Sequence, residues 1–243
     1  MNKGGSQLEV ICNFIWEKNG RAQNEDALCF RHAAKEGKEY LLSVVCDGIG
    51  GLPEGENASS FVADSLGKEL MRLLETGKDM NIRKWRNAFL RKIYQCHQML
   101  RMYGKERGIR LGTTVSMVFL CGNRGWIVQV GDSAVFAGKY RLRRKTGIHR
   151  TKKGALRQAV GAGREPKAEC KRLYVRKGSV LLLASDGFYQ RVEQELMAEK
   201  GLRDLQKKEN GETDIDVWLR NIFRMAKQRG ERDNASAICV ACR

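Results

Sequence analysis

The chain has 243 residues, 42% of them hydrophobic and 30% charged, a composition that can bury a sizeable core and excludes a disordered tail. Apolar runs such as VLLLA at 180–184 are too short to cross a bilayer, and the opening residues have no signal-peptide core, so a soluble, cytoplasmic protein is expected. A formal net charge of +17 favours anionic partners, yet few aromatics are interleaved with the basic residues and no nucleic-acid module accompanies them.

Strands are expected at 28–30 (LCF) and 40–46 (YLLSVVC), bounded by charged or glycine-containing turns. Helical spacing runs from Glu56 to Thr76 through Ala58, Phe61, Val62, Leu66, Leu70 and Leu73. It returns from Ile82 to Tyr103, with Trp85, Phe89, Ile93, Cys96 and Leu100 on one side. TTVSMVFLC, WIVQVG and AVFAG then read as three closely spaced strands of an antiparallel meander. A basic stretch over 139–157 follows, then strands near CKRLYV and at SVLLLAS, one or two helices over 192–227, and a last strand, ASAICVA. Short turns between strands, with helices arriving in pairs, predict an α+β sandwich in a single domain over 1–243.

Eight cysteines are scattered, mostly inside apolar segments, as reduced buried thiols are. Cys239 and Cys242 form one CxxC with no second pair to complete a zinc site, so a structural role is expected. Cys170 and Arg176 have the spacing of a cysteine-dependent phosphatase, but KRLYV between them alternates like a strand and lacks the glycines of an anion-cradling loop.

Aspartates stand at the ends of the apolar strands. YLLSVVC ends in Asp47-Gly48, WIVQVG in Asp132-Ser133 and SVLLLAS in Asp186-Gly187, while Asp233-Asn234 precedes the final strand. Each pair alone is an ordinary turn former. Converging together, such carboxylates repel unless cations sit between them, and an all-oxygen set selects hard ions, Mg²⁺ or Mn²⁺. The three histidines, His32, His97 and His149, lie far from these aspartates in sequence.

The motifs RAQNEDA (21–27), VVCDGIGG (44–51), GENAS (55–59), LGTT (111–114), VGDS (130–133), QAVG (158–161), LLLASDG (181–187) and DNASAICV (233–240) follow in order. Together they resemble the metal-dependent type 2C protein serine/threonine phosphatases, in their short bacterial style. The resemblance implies a four-layer α-β-β-α sandwich of two antiparallel sheets flanked by helices. It implies two Mn²⁺ or Mg²⁺ ions, with Asp47 bridging both, the Gly48 carbonyl on one, and Asp186 and Asp233 completing the ligands. Glu25 and Asp26 would hold water around the ions, Asp132 would serve a looser third ion, and Arg21 would grip the substrate phosphate. The implied substrates are phosphoproteins, products of a serine/threonine kinase.

Three positions depart from that family's pattern. Ile49 stands where some members carry a histidine, Gln190 where many place a further aspartate, and Ala134 where an arginine follows the GDS motif. A third ion is therefore expected to bind weakly. The basic 139–157 segment, with Arg143, Arg144, Lys145, Arg150, Lys152 and Lys153, reads as a short flap: either a solvated loop or a strip that recruits acidic phosphoproteins. Two other functions fit parts of the sequence: a pseudophosphatase that binds phosphoproteins without turnover, and a basic nucleic-acid-binding protein.

Overall fold

The computed structural model describes residues 9–76, 80–149, 156–198, 202, 205 and 211–243. Among these residues ten strands form two antiparallel sheets. The first is ordered β1 (Val10–Glu17), β10 (Ala235–Cys242), β9 (Val180–Ala184), β6 (Ala134–Gly138) and β7 (Arg143–Arg144). The second is ordered β2 (Asp26–Lys35), β3 (Lys38–Asp47), β4 (Val115–Cys121), β5 (Arg124–Val130) and β8 (Glu169–Tyr174). Helices α1 (Gly55–Glu75) and α2 (Ile82–Arg107) cover the second sheet, and α5 (Gly211–Gln228) covers the first; the short α3 (Asp186–Tyr189) and α4 (Glu193–Ala198) follow β9.

Period-two alternation explains the layering. One set of strand side chains, Leu41, Val45, Val118, Ile127, Val135, Leu183 and Ile238 among them, meets between the sheets. The alternate set packs outward: Leu42, Val44 and Phe119 against α1 and α2, and Leu182, Ala237 and Cys239 against α5. Three apolar layers thus separate four structural ones, the α-β-β-α sandwich expected above. Trp85 stacks on Phe119 with ring centroids 4.9 Å apart, anchoring α2 to the sheet.

Several expectations change. The helix expected over 82–103 continues to Arg107, where Gly108, at φ 67°, supplies the left-handed cap. Strand β1 was not anticipated: Phe14 and Trp16 are exposed at a sheet edge, which blurs the alternation that would have marked it. The meander fails at its third strand. β4 and β5 are hairpin neighbours, but β6 belongs to the other sheet. The chain crosses between sheets at Gly131-Asp132-Ser133. Gly131 has φ 100°, and a Cβ there would come within 2.6 Å of Thr114 Cγ2, so glycine alone fits the crossing.

Cys239 and Cys242 sit on opposite faces of β10, in different apolar layers, and bind nothing jointly. Cys170 is paired opposite Val128 in β8, and burial raises its thiol, the reverse of what a thiolate nucleophile needs. No helix among the described residues is long and apolar enough to cross a membrane.

Candidate active site

At one end of the sandwich a polar cavity of about 440 Å³ is lined by Arg21, Glu25, Asp47, Gly48, Asp132, Asp186 and Asp233, with Ile49 and Leu156 at its apolar margin. A cleft of about 470 Å³ between the edges of β1 and β2 is larger but is walled chiefly by Phe14, Trp16, Leu28 and Phe30, and offers little chemistry.

Each carboxylate arrives by its own route. Asp47 ends β3 and lies in register opposite Asp26, the first residue of β2. Thr113 and Thr114 hold its backbone: Thr113 Oγ1 donates to the Asp47 carbonyl at 2.9 Å, the Thr114 amide donates to that carbonyl at 2.8 Å, and Thr114 Oγ1 accepts from the Asp47 amide at 3.0 Å. Gly48 donates its amide to the Glu25 carbonyl at 3.0 Å, and a Cβ at Gly48 would sit 2.6 Å from the Gly55 carbonyl oxygen. Only glycine lets the chain pass there while leaving the Gly48 backbone on the cavity wall.

Asp186 opens α3 directly after β9, and Asp132 sits on the crossing between sheets, buried at 5% exposure. Tyr189 Oη donates to the Asp132 carbonyl at 2.7 Å, and Arg144 donates to Tyr189 Oη at 2.7 Å. Arg144 also forks onto Glu193 at 3.0 and 3.1 Å, so this member of the basic segment is structural rather than solvated. Arg150, Lys152 and Lys153 lie outside the described residues. Gln190 is exposed and does not line the cavity.

Asp233 precedes β10 and is engaged by Arg21, Nη2 to Oδ2 at 2.8 Å. Its neighbour Asn234 ties down the RAQNED loop. Asn234 Oδ1 accepts from the Glu25 amide at 2.9 Å, and its Nδ2 donates to the carbonyls of Lys18 and Gln23 at 3.0 and 2.9 Å. The sequence pattern gives no role to Asn234, Thr113, Thr114 or Tyr189, and it places Arg144 only in the basic strip. The motifs DNASAICV and LGTT contained three of them, but the partners lie far away along the chain. His149, distant from every aspartate in sequence, accepts from the Gly131 amide at 3.2 Å through Nδ1, next to Asp132.

The cavity gathers five acidic side chains around one arginine. Burial, and then Asp26, Asp186, Asp132 and Asp233, push Asp47 well above the usual carboxylate range. Burial likewise raises Asp26 to about 7, opposed by the nearby Ser236 and Ser185 hydroxyls. Ser185 Oγ donates to Asp26 Oδ2 at 2.9 Å, while the buried Asp26 Oδ1 has no partner among the described residues. Among the described residues no three acidic, histidine or cysteine side chains close into a finished metal cage, and Asp233 is turned onto Arg21. The donor set is nonetheless all oxygen, crowded and short of positive charge, which fits hard divalent cations.

A smaller cavity of about 290 Å³ adjoins this one. It shares Ile49, Gly50, Gly51 and Leu156 with it and is rimmed by Arg110, Arg157 and Arg164.

Known structures share the architecture. A serine/threonine phosphatase of S. agalactiae is 18% identical, with TM-score 0.77, covering 96% of this chain and 99% of that one. Stp1 of Staphylococcus aureus is 22% identical, with TM-score 0.78, covering 98% and 96%. The catalytic domain of the phosphatase PstP, in complex with 2 manganese ions, is 22% identical, with TM-score 0.66, covering 97% and 99%. No curated protein sequence matches the chain. The family model for protein phosphatase 2C matches residues 18–231, a span that holds Arg21, Glu25, Asp47, Asp132 and Asp186 and ends just before Asp233, and the chain therefore belongs to the protein phosphatase 2C family.

Proposed function

We propose that the chain hydrolyses phosphoserine and phosphothreonine in proteins, with two Mn²⁺ or Mg²⁺ ions held by Asp47, the Gly48 carbonyl, Asp186 and Asp233. The observation that carries this reading is the meeting of carboxylates from five separate chain segments, at Glu25, Asp47, Asp132, Asp186 and Asp233, in one polar cavity with Arg21 at its rim. When bound, the cations supply an activated water and neutralise charge developing on the phosphoryl oxygens.

The remaining chemistry belongs to the chain. Arg21 offers a planar fork matched to phosphate oxygens, and an incoming phosphate competes with Asp233 for it. Glu25 on the cavity wall and Asp26, paired opposite Asp47 just behind it, orient water around the ions, and Asp132 serves a weaker third ion. Ile49 brings no titratable group to the leaving oxygen, so its proton comes from solvent. The arginines of the adjoining cavity favour substrates with acidic residues near the phosphorylated side chain. The substrates fit the products of a serine/threonine kinase.

The test is turnover of p-nitrophenyl phosphate and a phosphothreonine peptide with and without Mn²⁺, for wild type, Asp47→Ala and Asp233→Ala. Mn²⁺-dependent turnover abolished by either substitution is expected. A folded, metal-loaded wild type that turns over neither substrate would leave a phosphoprotein-binding scaffold instead.

A further inference from the structure

We infer that the end of the second sheet remote from the cavity carries a docking site for a carboxylate-rich segment of a protein substrate, built on Arg83, Arg86, Arg124 and Arg172. A cleft of about 420 Å³ lies there between the start of α2 and strands β5 and β8, with Arg83, Arg124, Arg172, Trp126 and Tyr174 in its wall and no acidic residue among the described residues. Trp126 is fixed by its indole N–H, which donates to the Ile82 carbonyl at 2.9 Å. The guanidinium carbons of Arg86 and Arg172 lie 4.7 and 5.8 Å from its ring centroid.

Arg86 and Arg172 are thus held against an aromatic ring. Elsewhere on the surface Arg72, Arg144, Arg191, Arg220 and Arg229 each pair with a carboxylate. Among the described residues Arg83, Arg86, Arg124 and Arg172 form no such pair, and Arg86 has only the Asn87 amide oxygen. Gathering four like charges opposes folding unless an anion completes the set.

The helix end gives a second, independent sign. α2 has no acidic residue in its first turn, and that end carries Arg83, Lys84 and Arg86. A helix N-terminus is already positive, so these side chains repel it, and a bound anion relieves both terms. Carboxylates match the arrangement well: ring-stacked guanidinium groups are weakly hydrated and accept them through two parallel hydrogen bonds.

The site is set apart from the chemistry by the length of β5. Arg124 begins that strand and Val130 ends it, one residue before the crossing that carries Asp132. Six residue steps of strand span about 20 Å. A docked acidic segment therefore lies at least about six extended residues from the phosphorylated side chain. The inference rests on the phosphoprotein-phosphatase reading for its purpose, but the binding itself is measured without turnover.

The experiment has two arms, each on wild type, on Arg124→Glu with Arg172→Glu, and on the milder Arg124→Gln with Arg172→Gln. Fluorescence anisotropy follows a labelled, unphosphorylated peptide with a run of glutamates. Kinetics compare a phosphothreonine peptide bearing that run about eight residues away with the same peptide lacking it, and with p-nitrophenyl phosphate. Binding that weakens with salt and is lost in the reversal variant supports the site. So does a fall of about tenfold in kcat/KM for the tailed peptide alone, with the Gln variant intermediate. Equal binding by all three proteins, or equal kcat/KM for tailed and untailed peptides in wild type, would overturn it. An oligonucleotide that outcompetes the peptide and is lost in the same variants would also overturn it, in favour of nucleic acid. Absence of p-nitrophenyl phosphate turnover would sink the phosphatase reading alone, leaving the binding arm to decide the docking site.

Discussion

The hydroxyl of Tyr189 donates to the main-chain carbonyl of Asp132 at 2.7 Å, and Arg144 holds the same hydroxyl from the other side at 2.7 Å. A side chain on α3 thereby fixes the loop where the chain passes from one sheet to the other. Arg144 also stacks over the Tyr189 ring at 4.7 Å, so the bridge is braced in both its polar and its aromatic parts.

Tyr189→Phe keeps the ring and removes the bridge, leaving the Asp132 carbonyl and the Arg144 guanidinium each short of a partner. The expected cost is about 1–3 kcal/mol of stability, read by denaturant unfolding. Loosening Asp132 should also raise the Mn²⁺ concentration for half-maximal activity severalfold. Unchanged unfolding and metal titration curves would show that the bridge fixes nothing.

Arg21 and Asp233 are engaged with each other although both are proposed to serve the site, one for phosphate and one for metal. Arg21→Ala should move two measurements in opposite directions. KM for a phosphothreonine peptide rises, about tenfold for a lost charge-assisted phosphate contact, while Mn²⁺ binds the freed Asp233 more tightly by calorimetry. Arg21→Lys recovers part of the KM loss, because a point charge replaces the fork. A KM unchanged in Arg21→Ala would remove Arg21 from substrate binding.

Asp26 gives a pH dependence whose sign follows from its raised pKa. In the folded, metal-free protein it keeps its proton to about 7, while in the unfolded chain it ionises near about 4. Between those values the folded state binds more protons, so stability falls as pH rises, by up to about 1.4 kcal/mol per pH unit. The buried Asp47 adds a slope of the same sign. Thermal unfolding in chelator should show the decline between about pH 4 and pH 7, a shallower one in Asp26→Asn, and reversal of the decline by Mn²⁺. A flat profile in chelator would mean that these carboxylates are not buried together.

The strand-end aspartates were legible because their positions depend on local pattern. An apolar run of alternating side chains fixes a strand, and a carboxylate at its end is carried to the sheet edge whatever the rest of the chain does. Asp47, Asp186 and Asp233 needed nothing more, and the helical spacing around Leu66 and Phe89 marked α1 and α2 in the same way. Strand β1 escaped because its outward residues Phe14 and Trp16 are apolar too, so its burial pattern leaves little contrast to read.

What the sequence alone determined was the set of carboxylates, their attachment to strand ends, the α+β class and the family they suggest. The tertiary structure decided which side chains meet. The move of β6 into the other sheet rests on close packing between Gly131 and Thr114, and the contact of Arg21 with Asp233 joins residues 212 apart. The Asn234 clasp on the opening loop and the stacking of Arg86 and Arg172 over Trp126 are likewise assembled from distant segments. Periodicity reports only which face a residue takes within its own element. Pairing across elements depends on how two sheets and their helices are stacked, and no local pattern records that.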